Sequence, residues 1–404
     1  MNKIFNVKTS LCSAGVNIVF LTSVFYDIIR YILPIEKYIS FALFTWVHLL
    51  LLFMIYHERS NSLSSFRYIL FFLFSFSLGM TTLQQEYILM RSWLFFMPLM
   101  IFIWFVALPS VVMEWKDILY TLKCITLLGI LYCTANLIIN YNILFHFWTT
   151  TNFYNNDCQG VYFNKNSWGQ LLIPIIFANV LLLCKENKYI WKITLLILIY
   201  NLIASLSRGA ILGIAIFFIT YLCILSINNG LINKKSAIFI FALISILFFI
   251  PQLHNVLYNY FFRQHDILTF RGELWRMSEY YIIKLPFWGY GFGNQLSLIE
   301  NMGVQISNFH NTYIDWLIQG GFPHILVNLL ILGSTAVTSF RVYRINNKLG
   351  SYLLASLLSF TLYINIEYVD LYTFTTPNIL FCFMLFTIPY WILDVLQFHR
   401  SNNL

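Results

Sequence analysis

The sequence predicts an all-α, polytopic membrane bundle, and three observations carry that prediction. Only 10% of the 404 residues are charged, against about a quarter in soluble domains, while 59% are hydrophobic and 19% aromatic. Apolar runs of about twenty residues, the length of one bilayer crossing, recur along the whole chain. The cations gather in short connections between those runs and form no basic tract. The net charge of +8 therefore reads as topology signalling and not as a nucleic-acid surface.

Twelve crossings follow from the hydropathy pattern, over roughly 12–33, 38–56, 67–84, 92–113, 118–140, 168–184, 189–206, 209–227, 236–250, 311–340, 350–366 and 376–394. The opening "MNKIFNVKTS" and the apolar run behind it lack a small-residue cleavage site, so the run reads as a retained first helix. The tenth crossing is long and carries "GGFP", where Pro323 removes a backbone donor after two glycines and predicts a break. With the N-terminus inside, fifteen of the twenty-four Lys and Arg fall on the N-terminal side, which predicts an N-in, C-in orientation. The seven cysteines have neither metal nor redox spacing, and no disulfide framework is expected. The expectation is one integral domain over 1–404 with a long periplasmic loop over 251–310 between the ninth and tenth crossings. In that loop "FRGELWRMSEYYIIKLP" alternates apolar and charged residues as a helix on the bilayer surface would, a packing helix beneath the loop being the alternative.

Three residues on the predicted outer side stand out. Arg208 in "SLSRGAILG" lies between two crossings with almost no loop to hold it. A guanidinium there either marks a site or snorkels to the headgroups, and Gly209 and Ala210 would let another group approach closely. Arg271 in "TFRGELW" repeats the Arg-Gly pair on the same side. Two rigid, permanently charged forks suit a pyrophosphate, whereas Arg271 alone could be a solvated surface residue. His310 in "NFHNTYIDW" re-enters the bundle from that side, and an imidazole is the natural proton acceptor for activating a hydroxyl. A capping or core histidine is the competing reading, with Asn308 or Asn311 capping the next helix. Glu367 and Asp370 in "NIEYVDLYT" read first as a solvated loop, and second as groups orienting His310 or binding substrate hydroxyls. No His-x-x-x-His pair and no outer carboxylate cluster is present, so no metal site is predicted. "GYGFGN" lacks a surrounding strand-to-helix unit and reads as a turn, not a phosphate loop.

Taken in order, "GVYFNKNSWGQ", "SRGAILG", "FRGELWRMSEYYIIKLPFWGYGFGN" and "FHNTYIDWLIQGGFP" resemble the O-antigen ligase and polymerase superfamily of bacterial envelope glycosyltransferases over roughly 160–340. The first five crossings contribute hydropathy alone to that resemblance. It implies a GT-C-type fold in the inner membrane with a periplasmic active site. It also implies metal- and cofactor-independent, inverting transfer of a glycan from undecaprenyl diphosphate. In those terms His310 resembles the catalytic histidine, and Arg208 and Arg271 the diphosphate-binding arginines. Lys165, Asn311 and Arg276 are further candidate substrate contacts. The "NKN" around Lys165 looks more like polymerases, whose acceptor is a second lipid-linked repeat unit and whose partners include a chain-length regulator. The alternative is an O-antigen ligase, with lipid A-core as acceptor. A transporter or flippase of lipid-linked sugars would carry repeat symmetry and paired broken helices, and the sequence has neither.

Overall fold

The computed structural model describes residues 10–33, 37–58, 64–82, 96–147, 158–162, 164–228, 271–292, 298–299, 308–369, 371, 373 and 375–402. The ninth predicted crossing, 236–250, the first part of the predicted loop and Asp370 lie outside the described residues. In chain order the helices are α1 (Leu11–Ile32), α2 (Lys37–His57), α3 (Ser65–Thr82), α4 (Phe96–Ile101), α5 (Trp115–Ile139), α6 (Tyr141–His146), α7 (Lys165–Glu186), α8 (Tyr189–Ala204), α9 (Arg208–Asn228), α10 (Arg271–Ile283), α11 (Thr312–Ile345), α12 (Asn347–Tyr363), α13 (Thr376–Cys382) and α14 (Ile388–Asn402). A wide helical turn extends α4 over Phe102–Ala107, and another joins α13 to α14 over Phe383–Thr387.

Among the described residues, six helical stretches are long and apolar enough to cross a membrane, and four further apolar helices are shorter. The outer faces are oily: Trp46, Phe72 and Tyr56 are 72%, 63% and 84% exposed, as lipid-facing side chains are. The interior is filled by large rings, among them Trp104, Trp168 and Trp391. The two wide turns meet there, where the Thr387 hydroxyl donates to the Trp104 carbonyl at 2.7 Å.

The ends of the helices sort into two rims. At the near rim the Ser10 N–H donates to Asp117 at the start of α5, and the Leu11 N–H to Glu58 after α2. On the same rim Lys123 and Lys188 both pair with Glu186 at the end of α7. Helices run antiparallel from these points. The far rim therefore gathers the ends of α1, α5 and α12 with the starts of α7, α9, α11 and α13.

The predicted break in the tenth crossing is present, and its partner was not foreseen. Gly321 takes a left-handed backbone (φ 69°), and α11 kinks there. Pro323 cannot donate to the Gln319 carbonyl, so that acceptor needs a partner from elsewhere. The Gly291 N–H supplies it at 3.0 Å, and the Tyr290 N–H takes the Ile318 carbonyl at 2.8 Å. "GYGFG" does form a turn, with the Gly289 N–H on the Pro286 carbonyl at 2.8 Å, and this turn plugs the kink. The approach is close enough that a Cβ on Gly289 would stand 2.5 Å from the Gly321 nitrogen.

Candidate functional site

α11 begins with an Asn311 cap whose side-chain oxygen accepts the Tyr313 and Ile314 N–H groups at 3.0 and 3.1 Å. Its amide nitrogen donates to Asn365 at 3.0 Å. The Asn311 oxygen is thus committed to the helix cap, and one of its two amide N–H donors to Asn365. The Thr312 hydroxyl donates to the Glu367 carbonyl at 3.0 Å and accepts the Val369 N–H at 2.9 Å, fastening the start of α11 to the loop after α12. One residue earlier, His310 sits in the left-handed region (φ 50°), with its N–H held by the Asn308 side chain at 3.0 Å. A β-carbon residue in that region is uncommon and is kept there by its surroundings.

The same loop brings Glu367 to His310. Nδ1 of the imidazole stands 3.5 Å from one carboxylate oxygen, within ion-pair range though long for a hydrogen bond, and the other oxygen accepts from Arg271 at 2.5 Å. The Glu367 side chain is 6% exposed, Arg271 18% and His310 28%, so the carboxylate is sealed while its two partners remain open on their other sides. Reading "NIEYVDLYT" first as a solvated loop is therefore corrected at Glu367: the clamp from Thr312 pulls this residue inward. Burial alone would push its carboxyl up, but the His310 imidazole and the Arg271 guanidinium outweigh it and hold the group below the usual carboxylate range.

α10 lies over this end of the bundle. Its Leu274 packs with Phe309 and Ile318, and the Trp275 indole donates to the Phe309 carbonyl at 2.8 Å, tying Arg271 to the residue before His310. The opposite edge of the helix exposes Tyr280 and Ile283, at 57% and 83%. Arg276 is also exposed.

Arg208 is the first residue of α9, and the next residue packs on the same carboxylate. A Cβ at Gly209 would meet Glu367 Oε1 at 2.9 Å. The Ser207 hydroxyl, immediately before Arg208, donates to Asn166 at 3.2 Å, and this brings the start of α7 alongside with half-buried Lys165 as its first residue. His310, Arg271, Arg208, Lys165 and Asn311 therefore share the far rim, with Glu367 as a hub that motif reading undervalued. Its signal was present as an acid isolated between apolar residues in a charge-poor chain.

An imidazole and a guanidinium on one sealed carboxylate can orient a base and fix a cation beside it. The arrangement lies on the rim of a helical bundle of the kind that polytopic membrane proteins form. Residues 193–329, which include Arg208, Arg271 and His310, match the O-antigen ligase family, and this match supports the O-antigen ligase/polymerase superfamily. Lys165 and Glu367 lie outside the matched stretch. No curated protein matches the chain.

Proposed function

We propose that the protein is an O-antigen polymerase: a metal-independent, inverting glycosyltransferase of GT-C type, with about twelve crossings and its site on the periplasmic face of the inner membrane. Supporting this reading above all is the convergence of Arg271 and His310 on Glu367, with Arg208 one residue from the Gly209 contact. In the reaction, Arg208 and Arg271 hold the diphosphate of an undecaprenyl-linked glycan. Their charge stabilises the leaving group as the bond from the sugar C1 to the phosphate oxygen breaks. The acceptor hydroxyl forms the new bond to C1 from the opposite side, and its proton passes to His310. Glu367 keeps the ring oriented and balances the imidazolium, while one guanidinium arm stays on Glu367 and the remaining N–H groups of Arg271 face the phosphates. Undecaprenyl diphosphate departs, with no divalent ion required.

Polymerase is preferred over ligase because "NKN" around Lys165 looks more like polymerases, and in this reading Lys165 is a third cation on the donor, its neighbour Asn166 being bonded to Ser207 just before Arg208. An O-antigen ligase would use the same far-rim chemistry with lipid A-core as acceptor. The lipopolysaccharide ladder of a deletion strain separates the two. One repeat unit on core is the expected result, bare core with accumulated lipid-linked polymer would identify a ligase, and an unchanged ladder would contradict both.

A further inference from the structure

Asp27 is an acid in the half of α1 nearer the far rim, in a stretch, "TSVFYDIIRY", without any motif. An ionisable group in a crossing segment is costly unless it is partnered, and such groups normally face the bundle interior or a water-filled mouth. Phe20, Val24 and Asp27 repeat at the spacing of one helix face, and the first two are buried at 0% and 1% exposure. The lipid-facing side is occupied instead by Leu21, Phe25 and Ile29, all exposed. Asp27 therefore points inward.

Its Oδ2 accepts three hydroxyls: Tyr132 at 2.7 Å, Tyr162 at 2.6 Å and Thr376 at 2.6 Å. These are the short distances of charge-assisted O–H···O bonds. Oδ1 accepts no hydrogen bond among the described residues and is not among their sealed, unpartnered atoms. A small apolar void lined by Phe20, Val24, Tyr132 and Thr376 borders two of these hydroxyl partners, and Asp27 itself is partly buried, in the half of α1 nearer the far rim.

The knot and the Glu367 group are joined by one loop. Thr376 and Glu367 lie at opposite ends of the loop between α12 and α13, nine residues apart by number, which limits their separation to about 30 Å even for an extended chain. The loop is folded, with the Leu371 N–H on the Val369 carbonyl at 3.1 Å. Asn378, two residues beyond Thr376, accepts from Gln170 of α7 at 2.8 Å, one turn along from Asn166 and its bond to Ser207. One polar belt thus runs along the rim from α1 to α9.

We propose that Asp27 is a second substrate contact, a subsite for the acceptor glycan in which Oδ1 accepts a sugar hydroxyl and Tyr162 forms the rim. The inference rests on the transferase reading and adds to it the place of the acceptor. A carboxylate repels a diphosphate and accepts hydroxyls, which assigns this end of the belt to the acceptor and the arginine end to the donor.

The test uses full-length protein in nanodiscs and the repeat-unit glycan freed from its diphosphate lipid by mild acid. Lacking a leaving group, this glycan serves only as acceptor, and it is titrated against lipid-linked donor. Asp27→Asn should raise the half-saturating glycan concentration about tenfold or more, the size of a lost hydrogen bond to a charged group. Donor dependence should stay within about twofold, as for a contact made to the acceptor alone. Asp27→Glu, which keeps the charge but moves the oxygen, should show the same defect and guards against a folding failure of the first variant. Thr376→Val should leave acceptor dependence near wild type. An unchanged glycan dependence in the Asp27 variants, or an equal loss with Thr376→Val, would overturn the subsite in favour of a structural knot. Independently of turnover, the free glycan should slow carbodiimide labelling of Asp27 in the wild-type protein, and absence of protection counts against the subsite. Protection without any transfer would instead sink the transferase reading and leave the subsite standing.

Discussion

Glu367 carries two loads, and substitutions at this residue separate them. Its charge orients His310 and anchors Arg271, so Glu367→Gln keeps the shape and removes the balance for an imidazolium. The expected loss is about 100-fold in kcat, of the order that general-base catalysis contributes, with a smaller change in donor KM. Initial rates at saturating donor measure it, and a near-normal kcat would mean that His310 needs no partner. The same residue gives a pH signature in stability. Its folded-state pKa lies below the ordinary value of 4.5, so the pair contributes stability above that value and loses it as pH falls through the depressed one. The melting difference between wild type and Glu367→Gln should shrink as pH falls below about 4.5. A difference that does not shrink there would contradict the ion pair.

At the scale of elements, the kink in α11 and its plug explain two glycine-rich motifs at once. Pro323 was readable as a break, because a missing N–H is a property of the residue itself. That "GYGFG" fills the break was not readable, since the bonded residues are 28 apart in sequence and their bonds are between backbones, which leave no pattern in side chains. The consequence is specific. Gly289→Ala drives a methyl into the Gly321 backbone, and Gly321→Ala imposes a strained left-handed alanine. Either change should lower stability by about 1–3 kcal/mol, seen as a lower melting temperature in detergent. Gly333→Ala, where no atom lies within 4 Å of the added carbon, is the control and should be close to neutral. Equal melting temperatures for all three would mean that the plug is dispensable. The Asn311 cap was legible for the ordinary reason that Asn before an apolar-periodic run satisfies helix N–H groups.

For the whole molecule, hydropathy spacing located the helices because one crossing has a fixed length, and all the described ones fall on predicted spans except short α6 and α10. Hydropathy could not disclose which polar residues meet. Asp27 sits in the first span, where the sequence shows only apolar character, and its three hydroxyl partners come from 105, 135 and 349 residues away. Side was approached through Lys and Arg counts, and it yields a labelling prediction. In cells carrying Cys223→Ser, a cysteine replacing Arg276 should react with a membrane-impermeant maleimide from the periplasm, and one replacing Lys188 only after lysis. The reverse pattern would turn the far rim toward the cytosol, away from any periplasmic donor.

Transfer by His310→Ala addresses the chemistry most directly. Wild-type and variant protein, inserted at equal levels in membranes, are given undecaprenyl-diphosphate-linked glycan and acceptor, and released undecaprenyl diphosphate is counted against elongated product. Wild type should form both in equal amounts, and His310→Ala should form neither while melting at the wild-type temperature. Near-normal elongation by the variant would remove the imidazole, and with it the proposed proton transfer, from the reaction.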